Sequence, residues 1–133
     1  MGGPVTEDID IISAALSGDK RAVLKDQLRR IDTQIIERLA VNITTREALH
    51  EQLTDLRRDI LTLEPLHHGL QDDPVIRRDR FVLKRDYRKL VGDLSEEQRN
   101  CWRDTQALKT EARQVEKELL GLHLRDTRLR DFL

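Results

Sequence analysis

Between Asp19 and Glu64 the chain has neither glycine nor proline, and its seam residues recur at spacings of four and three. Leu24, Leu28, Ile31, Ile35, Leu39, Asn42, Arg46, Leu49, Leu53, Leu56, Ile60 and Leu63 follow that rhythm. Such spacing keeps one stripe of a slightly under-wound helix facing a partner helix, the signature of a coiled-coil seam. A strand would need alternation with a period of two instead. As a helix the stretch reaches about 65–70 Å, and an isolated amphipathic helix cannot bury its stripe alone. Two spacings of four in a row, at Ile31, Ile35 and Leu39, form a stutter that locally unwinds the supercoil. There the apolar face widens to Ile36, Ala40 and Ile43, a width that suits more than one partner helix.

A second seam starts at Pro74, which suits a first helical turn with Asp73 as its cap. It runs through Ile76, Arg80, Leu83, Tyr87, Leu90, Leu94, Glu97, Cys101, Thr105, Leu108, Ala112, Val115, Leu119, Leu122, Asp126, Leu129 and Leu133. Thirteen of these seventeen are apolar against 38% for the whole chain, so the register is real rather than compositional. The phase passes Gly92 unchanged, although "SEEQ" at 95–98 is also a capping box able to start a new helix. The expected organisation is a flexible tail at 1–5, a short helix at 6–17, a helix at 19–64, a turn at 65–73 and a helix at 74–133. A break at 92–95 is the competing reading of that last element. "SGD" at 17–19 is expected to separate the first two helices, and "EPLHHGLQDDP" supplies the turn.

Two seams joined by a short turn should zip together in opposite directions, giving an all-α, elongated antiparallel coiled-coil hairpin. With residue 63 facing residue 76, Asn42 lies opposite Glu97, and Arg46 falls near Asp93. Asn42, Arg46, Asp93 and Glu97 are therefore expected to form an interior polar layer that locks the register. Arg80 falls opposite Asp59, and Leu24 near Val115. Leu119, Leu122, Leu129, Phe132 and Leu133 are then left beyond the pairing. A bare two-helix hairpin buries little apolar area, so the first helix and a second chain are expected to cover them. A homodimer forming a four-helix bundle is the expected remedy.

The composition agrees: 37% charged, 3% aromatic and a formal net charge of −1. A near-balanced charge gives no whole-protein attraction to nucleic acid or to an anionic membrane. No run of 18 apolar residues is present to span a bilayer, and the start of the chain lacks the basic-then-apolar pattern of a secretory signal. The single cysteine allows no intrachain disulfide, and a cytoplasmic location is expected.

One stretch departs from the balance. Arg77, Arg78, Lys84, Arg85, Arg88 and Lys89 all miss the seam and should point outward, with only Asp79 and Asp86 to offset them. This face is either an ordinary solvated surface or the candidate binding surface, for an acidic protein or, as a further reading, for nucleic acid phosphates. No cofactor and no metal site are expected. His67, His68, Asp72 and Asp73 sit in the turn without a helical His-x-x-x-His pair to fix ligand geometry. Cys101 lies on the seam as a small apolar residue, without a base beside it to make it a nucleophile.

"LKDQLRRIDTQIIERLA", followed after a turn by "PVIRRDR", resembles the layout of the all-helical chorismate mutases. The resemblance rests on Ile31-Asp32, Ile35-Ile36, Leu39-Ala40, Pro74-Val75 and Arg80. It implies inward cations and an acid clamping a dicarboxylate. At the corresponding places stand Lys25, Asn42, Leu53, Arg77 and Phe81, so Lys25 and Arg80 alone would serve. The residues themselves point first to a non-enzymatic coiled-coil protein–protein interaction module, acting as a scaffold, assembly factor or chaperone-like adaptor. A nucleic-acid accessory protein comes second, and a helical enzyme of degenerate chorismate-mutase-like layout third.

Overall fold

The computed structural model describes residues 3–69 and 73–132, with side chains over 18–66, 69 and 73–128. The protein is all-helical: helix α1 spans Gly3–Gly69 and helix α2 spans Pro74–Phe132. Among the described residues there is no strand, and no helix is long and apolar enough to cross a membrane.

α2 begins as its sequence dictates. The Asp73 side chain accepts a hydrogen bond from the Val75 N–H at 2.9 Å, and the Asp73 carbonyl accepts one from Arg77 N–H at 3.1 Å. Pro74 fills the first helical position, where a missing N–H costs nothing. α2 continues unbroken through Gly92 and the "SEEQ" box. In-helix threonines turn their hydroxyls onto the carbonyl four residues back, as at Thr44, Thr54 and Thr110.

Three expected boundaries differ. α1 is one helix through Ser17-Gly18-Asp19, so residues 6–17 are no separate element and residues 3–5 are no tail. One glycine costs a helix only about 1 kcal/mol, too little to stop it between good helix formers. α1 also passes Pro65 and ends at Gly69 rather than before 65. Proline's fixed φ is helical, so α1 passes it at the loss of the one backbone bond that an N–H at 65 would give the Leu61 carbonyl. Residues 1, 2 and 70–72 and the side chains of His67 and His68, where the tail and turn readings partly fall, lie outside the described residues.

The chain divides into two units. In the unit Arg38–Asp104, α1 and α2 run antiparallel. Arg38 reaches Glu97 and Asp104, and Arg80 reaches Glu64. Its seam is Arg38, Asn42, Thr45, Leu49, Leu53, Leu56, Ile60 and Leu63 on α1, facing Ile76, Arg80, Leu83, Tyr87, Leu90, Leu94, Glu97 and Cys101 on α2, all buried or half-buried. Two seam positions differ from expectation: Arg38 and Thr45 occupy it, while Leu39 and Arg46 are exposed. The three–four rhythm holds to Thr45, so the pair of fours comes at Thr45, Leu49 and Leu53 instead.

The unit formed by Met1–Glu37 and Thr105–Leu133 packs Leu24, Ile31, Thr105 and Leu122. Arg21 pairs with Asp126 there, and Val115 shares a groove with Gln27 and Ile31. Leu122, expected to need cover, is buried, and Leu119 is half-buried. Leu129, Phe132 and Leu133 have side chains outside the described set. Among the described residues no large side chain is fully buried, as a seam only two helices wide requires.

Candidate functional site

Asn42 and Glu97 meet as their seam positions demand: Asn42 Nδ2 donates to Glu97 Oε1 at 3.2 Å. The centre of the cluster is Arg38, however. Its Nη1 donates to Glu97 Oε1 at 2.8 Å, and its Nε to Asp104 Oδ2 at 2.8 Å. The Arg38 hydrogen bond, then that of Asn42, holds the Glu97 carboxyl below its ordinary range against a desolvation that pushes the other way. The same two carboxylates raise the Arg38 guanidinium.

Arg46 is exposed and Asp93 half-buried, and neither joins the cluster. Arg38 and Asp104 escaped the sequence reading because Leu39 was the more apolar occupant. The signal that finds them is the fork: one arginine in the seam satisfies two carboxylates, whereas Leu39 in the seam leaves Glu97 with Asn42 alone.

On the basic face the structure brings Arg77, Lys84, Arg85 and Arg88 together with Arg80 and Phe81 around one shallow groove on α2. Arg78 and Lys89 are outside that groove. The groove's charge is partly spent within the chain. Arg80 Nε and Lys84 Nζ both bond Glu64 Oε1, at 2.9 and 3.3 Å, and Arg85 reaches Asp86 at 3.4 Å. Arg80 was expected opposite Asp59. Its partner Glu64 is held low by the Arg80 hydrogen bond first and Lys84 after it. Phe81 stands 67% exposed among these cations.

Leu39, Ile43, Val91 and Trp102 each sit one residue beyond a seam position, after Arg38, Asn42, Leu90 and Cys101. In an antiparallel pair, stepping one residue forward from the seam reaches the same flank on both helices. These four exposed apolar side chains therefore share one flank, and Arg77, Lys84 and Arg88 follow it toward the start of α2.

Elsewhere the chemistry is plain. Cys101 is buried and forms no disulfide. Among the described residues no group of three or more His, Cys, Asp or Glu is gathered to hold a metal ion. Of the residues the mutase resemblance singled out, Lys25 is exposed and Arg80 is committed to Glu64.

No match to the chain is found among curated proteins or among solved structures. A family model does match, over residues 4–130. Because that match takes in both helices and nearly the whole chain, the protein belongs to DUF8104, a family of unknown function.

Proposed function

We propose that this protein is a non-enzymatic coiled-coil interaction module, a scaffold or chaperone-like adaptor that works by protein–protein assembly, with a second copy of itself as first partner. The observation that supports this reading is the exposed apolar row of Leu39, Ile43, Val91 and Trp102, of which Trp102 is 67% exposed. Covering what remains exposed of these side chains gains about 1 kcal/mol each, which favours a partner on that flank.

A binding role also fits what the surface offers: shallow grooves lined by long side chains, and an arginine cluster spent on holding two helices in register. Trp102 is the sole tryptophan, so its fluorescence reads the proposed surface directly. Its emission should shift to the blue as protein concentration rises. A maximum that stays at the solvent-exposed position at every concentration, and with every protein partner tried, rejects the reading.

The second reading is nucleic-acid binding through the groove of Arg77, Phe81, Lys84 and Arg88, favoured by an exposed aromatic ring among cations. It ranks lower because Glu64 already engages Arg80 and Lys84. The same groove suits an acidic protein surface.

A further inference from the structure

The two flanks of the unit Arg38–Asp104 carry opposite charge. One residue forward of the seam stand Arg46, Arg57, Arg77, Lys84 and Arg88, with Glu64 the one acid among the described residues. One residue back stand Asp55, Asp59, Asp79, Asp86, Asp93, Glu96 and Asp104, with Lys89 the one cation among the described residues. The segregation is confined to this unit. In the unit Met1–Glu37 with Thr105–Leu133 both flanks are mixed: Lys25, Arg29, Lys109 and Arg113 accompany Asp32 and Glu116 on one, and Arg30 and Arg125 accompany Glu111 and Glu118 on the other.

Part of each charged row remains uncommitted. Asp55, Asp86 and Asp104 pair with Arg58, Arg85 and Arg38. Asp59, Asp79 and Asp93 make no ion pair among the described residues, and neither do Arg46, Arg57 and Arg88. The relief is complementary as well. On the basic flank Phe81 projects among Arg77, Lys84 and Arg88. On the acidic flank, at the same level of α2, a groove runs between Asp59 and Asp79 over a floor of Leu63, Leu66 and Val82.

We infer that copies of this chain associate flank to flank, the basic side of one against the acidic side of the next, with Phe81 seated between Asp59 and Asp79. This rests on the interaction-module reading and specifies its partner. The docked surfaces differ, so the contact is heterologous: each added copy leaves one basic and one acidic flank open, and growth continues past a dimer. A net charge near zero lets copies approach, while opposed rows fix how they meet.

Sedimentation velocity of the intact chain tests this over a concentration series, at low salt and at about 0.5 M NaCl, where screening shortens to a few ångströms. The sedimentation coefficient should climb beyond a dimer at low salt and lose that rise at high salt. Arg46→Glu with Arg57→Glu and Arg88→Glu makes both flanks acidic, and Asp59→Lys with Asp79→Lys, Asp93→Lys and Glu96→Lys makes both basic. These seven residues hold no ion pair in the described chain, and circular dichroism checks that each variant stays helical. Each variant alone should remain monomeric, and their equimolar mixture should regain the rise.

A wild-type chain that stays monomeric overturns the inference, as does a mixture that fails to assemble. A salt-insensitive dimer overturns it too, while a blue shift of Trp102 in that dimer would leave the interaction-module reading standing. A rise abolished by nuclease treatment assigns the basic flank to nucleic acid and also overturns it. Should a reversed chain lose helicity, Phe81→Ser decides, removing assembly if the inference holds and leaving it unchanged if not.

Discussion

Arg38 bridges two carboxylates of the opposite helix, reaching Glu97 through Nη1 and Asp104 through Nε, each at 2.8 Å. The Arg38 and Glu97 side chains are 18% and 17% exposed, between a surface pair worth little and a buried pair whose breakage is severe. Arg38→Leu is therefore expected to destabilise the hairpin by about 1–2 kcal/mol, read as a lower urea midpoint. Asp104 is exposed, so Asp104→Asn should cost clearly less than Arg38→Leu. Equal losses would mean that the Glu97 arm is not the stronger one.

Glu97 and Glu64 are both held below the ordinary value of 4.5, each chiefly by an arginine hydrogen bond. A carboxyl with a depressed folded-state pKa binds protons more weakly folded than unfolded. Its contribution is complete above the unfolded value and fades as pH falls through the lower folded value. Stability should thus be flat from neutral pH down to about 5 and drop below 4.5. Urea midpoints at a series of pH values measure this, and Glu97→Gln should flatten the acid limb.

Gly92 lies in mid-helix, exposed, with nothing within 4 Å of where a Cβ would stand. Gly92→Ala should raise stability by about 0.5–1 kcal/mol, because alanine has less backbone entropy to lose. A lower melting temperature in the variant would show that α2 needs a flexible point there.

Leu39, Ile43 and Trp102 are exposed, so charging them should spare the folded chain and strike its association. Leu39→Asp with Ile43→Asp is expected to lower the unfolding free energy by only about 1 kcal/mol. The same change should abolish the concentration-dependent blue shift of Trp102. A large fall in the midpoint would place these side chains in a core instead.

Two antiparallel helices were legible in the chain because seam spacing depends only on the pitch of a helix and the placement of apolar residues. The Asp73 and Pro74 start of α2 and the Asn42–Glu97 contact were legible for the same local reason. The outward direction of Arg77, Arg85 and Arg88 followed from their absence from the seam, whereas Lys84 is half-buried and reaches across to Glu64. Tertiary packing decided the rest. It put Arg38 in the seam and Leu39 outside, because a forked cation between two carboxylates outweighs one more leucine along a thin interface. It also gave Arg80 to Glu64 rather than Asp59, since a long guanidinium follows the nearest carboxylate and not the nearest backbone level. The opposed charge of the two flanks had to wait for the seam as well: until Arg38 and Thr45 are known to face inward, the residues on either side cannot be sorted.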